Sequence, residues 1–149
     1  MALDSARVII SGASGLLGSA LVPTLQARGF AITRLVRGAP TGDDQIHWIP
    51  TRQLDPESLA GFDAVIHLAG ESVATRWTAD KKAKIRESRV TSTRNLAQAL
   101  AKSSKRPRLL LTASAIGYYG NRADEVLNEK SPPGSGFLHD VCREWEAAN

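Results

Sequence analysis

Residues 7–11, Arg-Val-Ile-Ile-Ser, form a short apolar run that stops at glycine, and the glycine-rich segment after it constrains the fold more than any other feature. Gly12-Ala13-Ser14-Gly15-Leu16-Leu17-Gly18 places three glycines at three-residue spacing between this predicted strand and a predicted helix over residues 16–28. Gly12 permits a tight turn, Gly15 lets a pyrophosphate approach the backbone, and Gly18 lets the helix pack close to the strand. A helix that starts there turns unpaired N–H groups and a positive dipole end toward the phosphates. The pattern therefore points to dinucleotide binding rather than to a merely structural turn.

The rest of the chain repeats the alternation. Leu17, Leu21 and Leu25, with Ala20, give the first helix an apolar face. Pro23 interrupts it, and Gly29 is expected to cap it. Strands are predicted over 30–36, 45–49, 63–70 and 108–112. Asp55 caps a brief helix through Leu59, a long helix spans 79–102, residues 121–136 form a loop, and a last helix begins at Phe137 and runs to Asn149 without a stop signal. In the long helix Ile85, Leu96 and Leu100, with Ala83 and Ala97, make only a loose stripe. Apolar strands alternating with helices imply an α/β chain with a Rossmann-type, doubly wound parallel sheet covered on both faces. A chain of 149 residues is the size of one domain.

The end of the second strand bears on the ligand. A binder of NAD has an acid there for the ribose 2′-OH, but this strand ends Leu35-Val36-Arg37-Gly38. Arg37, with Arg34 as a second candidate, is placed to pair a 2′-phosphate, so NADP is favoured over NAD. The alternative for Arg37 is an ordinary surface arginine. Leu68, Ala69, Gly70 and Glu71 close the fourth strand and its exit, where small residues allow a ribose or nicotinamide to come close. Glu71 contacts ligand or caps a turn. His67 is read as a satisfied core histidine, with a site role as the alternative. Trp48, Trp77 and Trp145 are read as packing residues, Trp48 also as a neighbour of the adenine.

Composition removes other classes. The single cysteine, Cys142, excludes an internal disulfide framework and a Cys-rich zinc site. No metal site is expected. Asp4 and Arg7 interrupt any leader peptide, and no apolar run approaches the roughly 18 residues of a membrane span, so a cytoplasmic protein is expected. Residues 76–108 carry eleven basic residues against Asp80 and Glu87, a net +9, while the remainder is −5. This block reads as a solvated helix face, because a single aromatic, Trp77, lies among the cations, fewer than single-strand nucleic-acid binding requires.

These residues resemble the extended branch of the short-chain dehydrogenase/reductase superfamily, through residues 12–18, 63–70 and the fifth strand leading to Tyr119-Gly120. Within it they are similar to a subfamily of NAD(P)-dependent epimerase-like proteins, through residues 67–72, Arg76-Trp77, 85–93, 114–120, 131–134, 136–138 and 141–146. The resemblance implies a bound NAD(P), hydride transfer to a carbonyl or sugar-like substrate, and a longer protein whose remaining part holds that substrate; a homodimer is one assembly open to it. It also implies a serine, a tyrosine and a lysine spaced Y-x-x-x-K, the tyrosine acting as acid/base. Ser114 matches the serine, or Ala115 if the register moves by one. Tyr118 is followed by Arg122 and Tyr119 by Ala123, so neither completes the motif. Aligning Glu146 with the superfamily's later acid puts Cys142 at the lysine and Leu138 at the tyrosine, and Arg89 at a helix asparagine. The expectation is an NADP(H)-binding oxidoreductase domain; the alternative is an NADP(H)-binding sensor without catalysis.

Overall fold

In the computed structural model, which describes residues 5–149, five parallel strands form one sheet in the order β3-β2-β1-β4-β5. Asp4, one of the two residues expected to interrupt a leader peptide, lies outside the described residues. The elements are β1 (Arg7–Ser11), α1 (Leu16–Ala27), β2 (Ala31–Val36), β3 (Gln45–His47), β4 (Ala64–His67), α2 (Ala79–Lys102), β5 (Leu109–Thr112) and α3 (Phe137–Glu146). Short 3-10 turns occupy Pro56–Leu59 and Ile116–Tyr119. The doubly wound Rossmann class expected from the alternation is the one observed.

Strand periodicity sorts the core into two layers. Val8, Ile10 and Ile32 face one side and pack on Val22 and Leu25 of α1. Ile9, Leu35 and Val65 face the other and pack on Leu96, Ala99 and Leu100 of α2, with Trp48 and Leu59. The packed stripe of α1 is the buried Gly18 with the half-buried Val22 and Leu25, rather than the expected Leu17 and Ala20, which are exposed. The three-to-four spacing that starts at the buried glycine sets that face. Helix α1 runs unbroken past Pro23.

Helix α2 explains its loose stripe by burying polar residues. Ser92 and Thr93 are fully buried beside Ile85 and Leu96, while Ala83 is exposed. Thr93 Oγ1 accepts a hydrogen bond from Trp145 Nε1 of α3 at 2.9 Å, so one buried hydroxyl fixes the α2–α3 packing. At its start, Thr78 Oγ1 accepts the N–H of Lys81 at 3.2 Å. Thr78→Ala is expected to cost about 1 kcal/mol in urea denaturation, while Thr78→Ser is expected to be neutral.

Two expectations need correction. Helix α3 ends at Glu146, and the Asn149 side chain donates to the Glu146 carbonyl instead of continuing the helix. Strand β5 is not covered on both faces: Leu109 and Leu111 are 52% and 47% exposed, because they alternate with Leu110, which packs on the α2 side, and so point to the other face, where α1 lies over β1 and β2. Also among the described residues, no helix is long and apolar enough to cross a membrane.

Candidate functional site

A cleft of about 700 Å³ opens at the carboxyl ends of β1, β2 and β4, where open α/β sheets hold their ligands. Gly12, Ala13, Ser14 and Gly15 form its floor. Gly12 has φ +71°, and a Cβ there would stand 2.8 Å from the Ala69 nitrogen and the Leu68 carbonyl carbon. A Cβ on Gly18 would lie 2.2 Å from the Gly12 oxygen. The β1–α1 turn is thus pressed between the exit of β4 and its own helix, and only glycine fits at either contact.

Gly15 begins α1 with no side-chain cap and no acid in the first turn. The first helical amides therefore have no acceptor from a side chain and keep their positive end toward the cleft. Leu16, Leu17 and Gly18 do not line its wall: the two leucine side chains are 90% and 64% exposed, and Gly18 is packed beneath the turn.

Both arginines of β2's end lie on the cleft. They differ in state. Arg34 Nη2 pairs with Asp44 Oδ2 at 2.5 Å, and its backbone N–H donates to the Asp44 carbonyl at 2.8 Å. The strand end has no acid of its own, but the loop before β3 supplies one, which the reading of β2 alone missed. Arg37 is exposed and makes no ion pair among the described residues.

Leu68, Ala69, Gly70 and Glu71 form the opposite wall. They belong to the loop after β4, which ends at His67 rather than continuing to Gly70. Glu71 pairs with Lys81 Nζ of α2 at 2.5 Å. That hydrogen bond and charge, with smaller help from Lys84 and Arg37, hold its carboxyl below the usual range. Its backbone N–H donates to Ser88 Oγ, and Arg89 donates to its carbonyl. Ser88, Val22 and Pro23 also line the cleft; hydropathy gives no sign of them, since they are brought in only by the docking of α1 and α2.

His67 is fully buried and bridges Ser11 Oγ, 2.6 Å from Nδ1, and Ser92 Oγ, 3.2 Å from Nε2. It does not line the cleft. Trp48 stands edge-on to it at 5.6 Å and does line the cleft, while its Nε1 is buried without a partner among the described residues. Trp48 thus combines packing with a position on the wall.

The positions that the resemblance links to proton transfer lie elsewhere. Ser114 follows β5, is exposed, and donates to the Glu146 carboxylate; it does not line the cleft. Leu138 packs against Gly117, and the buried Cys142 thiol donates to the Ala115 carbonyl. Burial, then the charge of Glu146, push that thiol's pKa up, so it stays neutral. Tyr118 and Tyr119 pack edge to face against each other. Arg89 lies over Trp145 at 5.4 Å, with its guanidinium against Gly70; burial draws its pKa down, opposed by Cys142 and Glu71. Among the described residues no group of three His, Cys, Asp or Glu side chains could hold a metal.

Known proteins share this architecture. An epimerase family protein of Mycobacterium tuberculosis is 42% identical over 148 residues, covering 98% of this chain and 48% of its own length. The crystal structure of a nucleoside-diphosphate sugar epimerase from Corynebacterium glutamicum superposes with a TM-score of 0.83 at 40% identity, over 97% of this chain and 30% of that one. Human epimerase family protein SDR39U1, solved with NADPH, gives 0.80 at 30% identity, over 95% of this chain and 48% of that one. The chain therefore spans about half the length of relatives like the mycobacterial protein. Residues 8–139 match the NAD dependent epimerase/dehydratase family, and with the extended short-chain dehydrogenase architecture and the glycine cradle in place, the chain belongs to that family.

Proposed function

We propose that this chain is the nucleotide-binding part of an NADP(H)-dependent oxidoreductase of the epimerase/dehydratase type, acting on a sugar-like or carbonyl substrate. The carrying observation is the cleft itself. It joins a glycine cradle, whose backbone packing leaves no room for a Cβ at Gly12 or Gly18, to two arginines at the end of β2. The Trp48 side chain lines the same cleft, and its buried N–H has no partner among the described residues. The residues present fit a dinucleotide. NADPH in the human relative's structure supports the choice of phosphate form.

In this reading the amides of residues 13–17 hold the pyrophosphate. Arg37 meets the 2′-phosphate, and Arg34, already oriented by Asp44, flanks it. Ala69 and Gly70 keep the wall low enough for the nicotinamide ribose. The coenzyme supplies hydride chemistry; the chain supplies binding and orientation. The substrate is held together with the further length present in the relatives. The buried free thiol of Cys142 suits the reducing cytoplasm. A second reading, a coenzyme-binding protein without turnover, is favoured by one observation: Leu138 and the neutral Cys142 stand where the resemblance implies tyrosine and lysine.

Titration of the chain with NADPH and NADH tests the coenzyme. NADPH is expected to bind more tightly. Arg37→Glu is expected to weaken NADPH by about 10- to 100-fold, the value of losing charge-assisted hydrogen bonds worth about 1.5–3 kcal/mol, and to leave NADH no weaker, since an acid there can take the ribose 2′-OH. Equal affinity for both coenzymes overturns the NADP assignment, and binding of neither overturns the function.

A further inference from the structure

We infer that His67 is a positioning residue of the nucleotide cleft, holding the β4 exit against the glycine turn through a one-directional chain of buried hydrogen bonds. The inference rests on the nucleotide reading above and adds the element that sets the cleft's width.

The chain of bonds starts at Ser11, the last residue of β1. Its Oγ accepts the N–H groups of Leu68 and Ala69 at 3.2 and 3.3 Å, the Leu68 N–H being shared with the Ser11 carbonyl, also at 3.2 Å. With both lone-pair directions taken, the hydroxyl proton goes to His67 Nδ1, 2.6 Å away. Nδ1 is then an acceptor and Nε2 carries the hydrogen. Nε2–H donates to Ser92 Oγ, and the Ser92 hydroxyl donates to the Ser88 carbonyl at 2.6 Å. The Ser92 proton is committed to helix carbonyls, Ser88 at 2.6 Å and Arg89 at 3.2 Å, so Ser92 Oγ can only receive from Nε2 and the direction runs from strand to helix. The tautomer is therefore set by the surroundings, and the neutral form agrees with a pKa that burial lowers to about 4.

The ends of this chain are parts of the cleft. Leu68 and Ala69 touch Gly12, where a Cβ would find them at 2.8 Å. Ser88 lines the cleft and its Oγ receives the N–H of Glu71. His67 thus connects the phosphate turn, the 68–71 wall and α2 without touching the ligand space. Without its Nδ1 acceptor, the Ser11 hydroxyl turns to another partner and releases the Ala69 amide, while Leu68 keeps the Ser11 carbonyl. The 68–71 wall then separates from Gly12.

The test compares His67→Leu and His67→Asn in this chain, reading NADPH affinity, amide hydrogen exchange at Leu68 and Ala69, and the thermal midpoint. Asn places its amide oxygen one bond beyond Cγ, as Nδ1 is placed, and keeps the acceptor for Ser11 while losing the bond to Ser92. His67→Leu is expected to lower NADPH affinity at least tenfold and to speed Ala69 exchange at least tenfold, while His67→Asn stays within threefold of the parent in both. A purely structural histidine would lower both midpoints and leave the affinity of folded protein unchanged; that result overturns the inference, as does an Asn variant as impaired as Leu. If His67→Leu does not fold, Ser11→Ala removes the same junction from the other side, and parental affinity there overturns the inference. A parental chain that binds neither coenzyme sinks the proposed function. Exchange then judges the positioning role alone: fast Ala69 exchange in Leu, restored in Asn, sustains it, and unchanged exchange overturns it.

Discussion

Gly18→Val is expected to abolish coenzyme binding and to destabilise the chain by about 3 kcal/mol, the upper part of the usual range for overpacking. The cause is backbone against backbone. Even the first carbon of a side chain at this position would lie 2.2 Å from the Gly12 oxygen and 2.6 Å from the Ala13 Cα. No rotamer relieves that contact, so either α1 moves outward or the turn opens. Both displace the amides of residues 13–17 from the phosphates they are proposed to hold. Gly29 is the control. It ends the first helical segment at φ +87° with open space around its Cβ position. Gly29→Ala is expected to cost about 1 kcal/mol from left-handed backbone strain alone and to leave NADPH affinity unchanged. Urea denaturation and a fluorescence titration of both variants separate the two causes. A Gly18→Val chain that binds NADPH normally would mean that the turn is not the phosphate cradle.

The features legible in the sequence are those that depend on neighbours along the chain. An apolar run ending in glycine located β1 and its turn, because the tight turn and the close helix approach both exclude a Cβ at fixed offsets. The β4 run was found in the same way, although its last three apolar residues, Leu68 to Gly70, leave the sheet and become cleft wall. The features that stayed hidden join segments distant in sequence. Asp44 reaches Arg34 from the next loop, and Lys81 reaches Glu71 across ten residues. A scan for an acid at the strand's end could not find the first. Ser92 and Thr93 spoiled the apolar stripe of α2 for a reason visible only in three dimensions: each hydroxyl serves a buried ring nitrogen, of His67 and of Trp145. Leu17 shows the converse. It fits a leucine repeat, yet it stands in solvent because the helix phase is set by the buried Gly18.

Acidification is expected to weaken the fold between about pH 6.5 and about pH 4, with His67 alone removing about 3 kcal/mol. The folded imidazole is held neutral by burial, with its pKa lowered from 6.5 to about 4. In the unfolded chain it titrates at its ordinary value. Across the interval between the two, the unfolded state binds a proton that the folded state refuses, so stability rises with pH there at up to about 1.4 kcal/mol per unit. Above the interval both states are neutral, and below it both are protonated, so His67 adds no further slope on either side. Protonated Nδ1 also ceases to accept from Ser11, whose hydroxyl holds the Leu68 and Ala69 amides. Glu57 and Glu71 act in the same direction but lower in pH, since their carboxyls are held below the usual 4.5, and their exposure to solvent makes their share small. Urea denaturation at pH 7, 6, 5 and 4 measures the slope. His67→Asn, which has no proton to gain in this range, is expected to lose most of it. A slope that persists unchanged in that variant would assign the acid sensitivity to other groups and leave His67 charged or solvated in the folded chain, contrary to the buried bridge between Ser11 and Ser92.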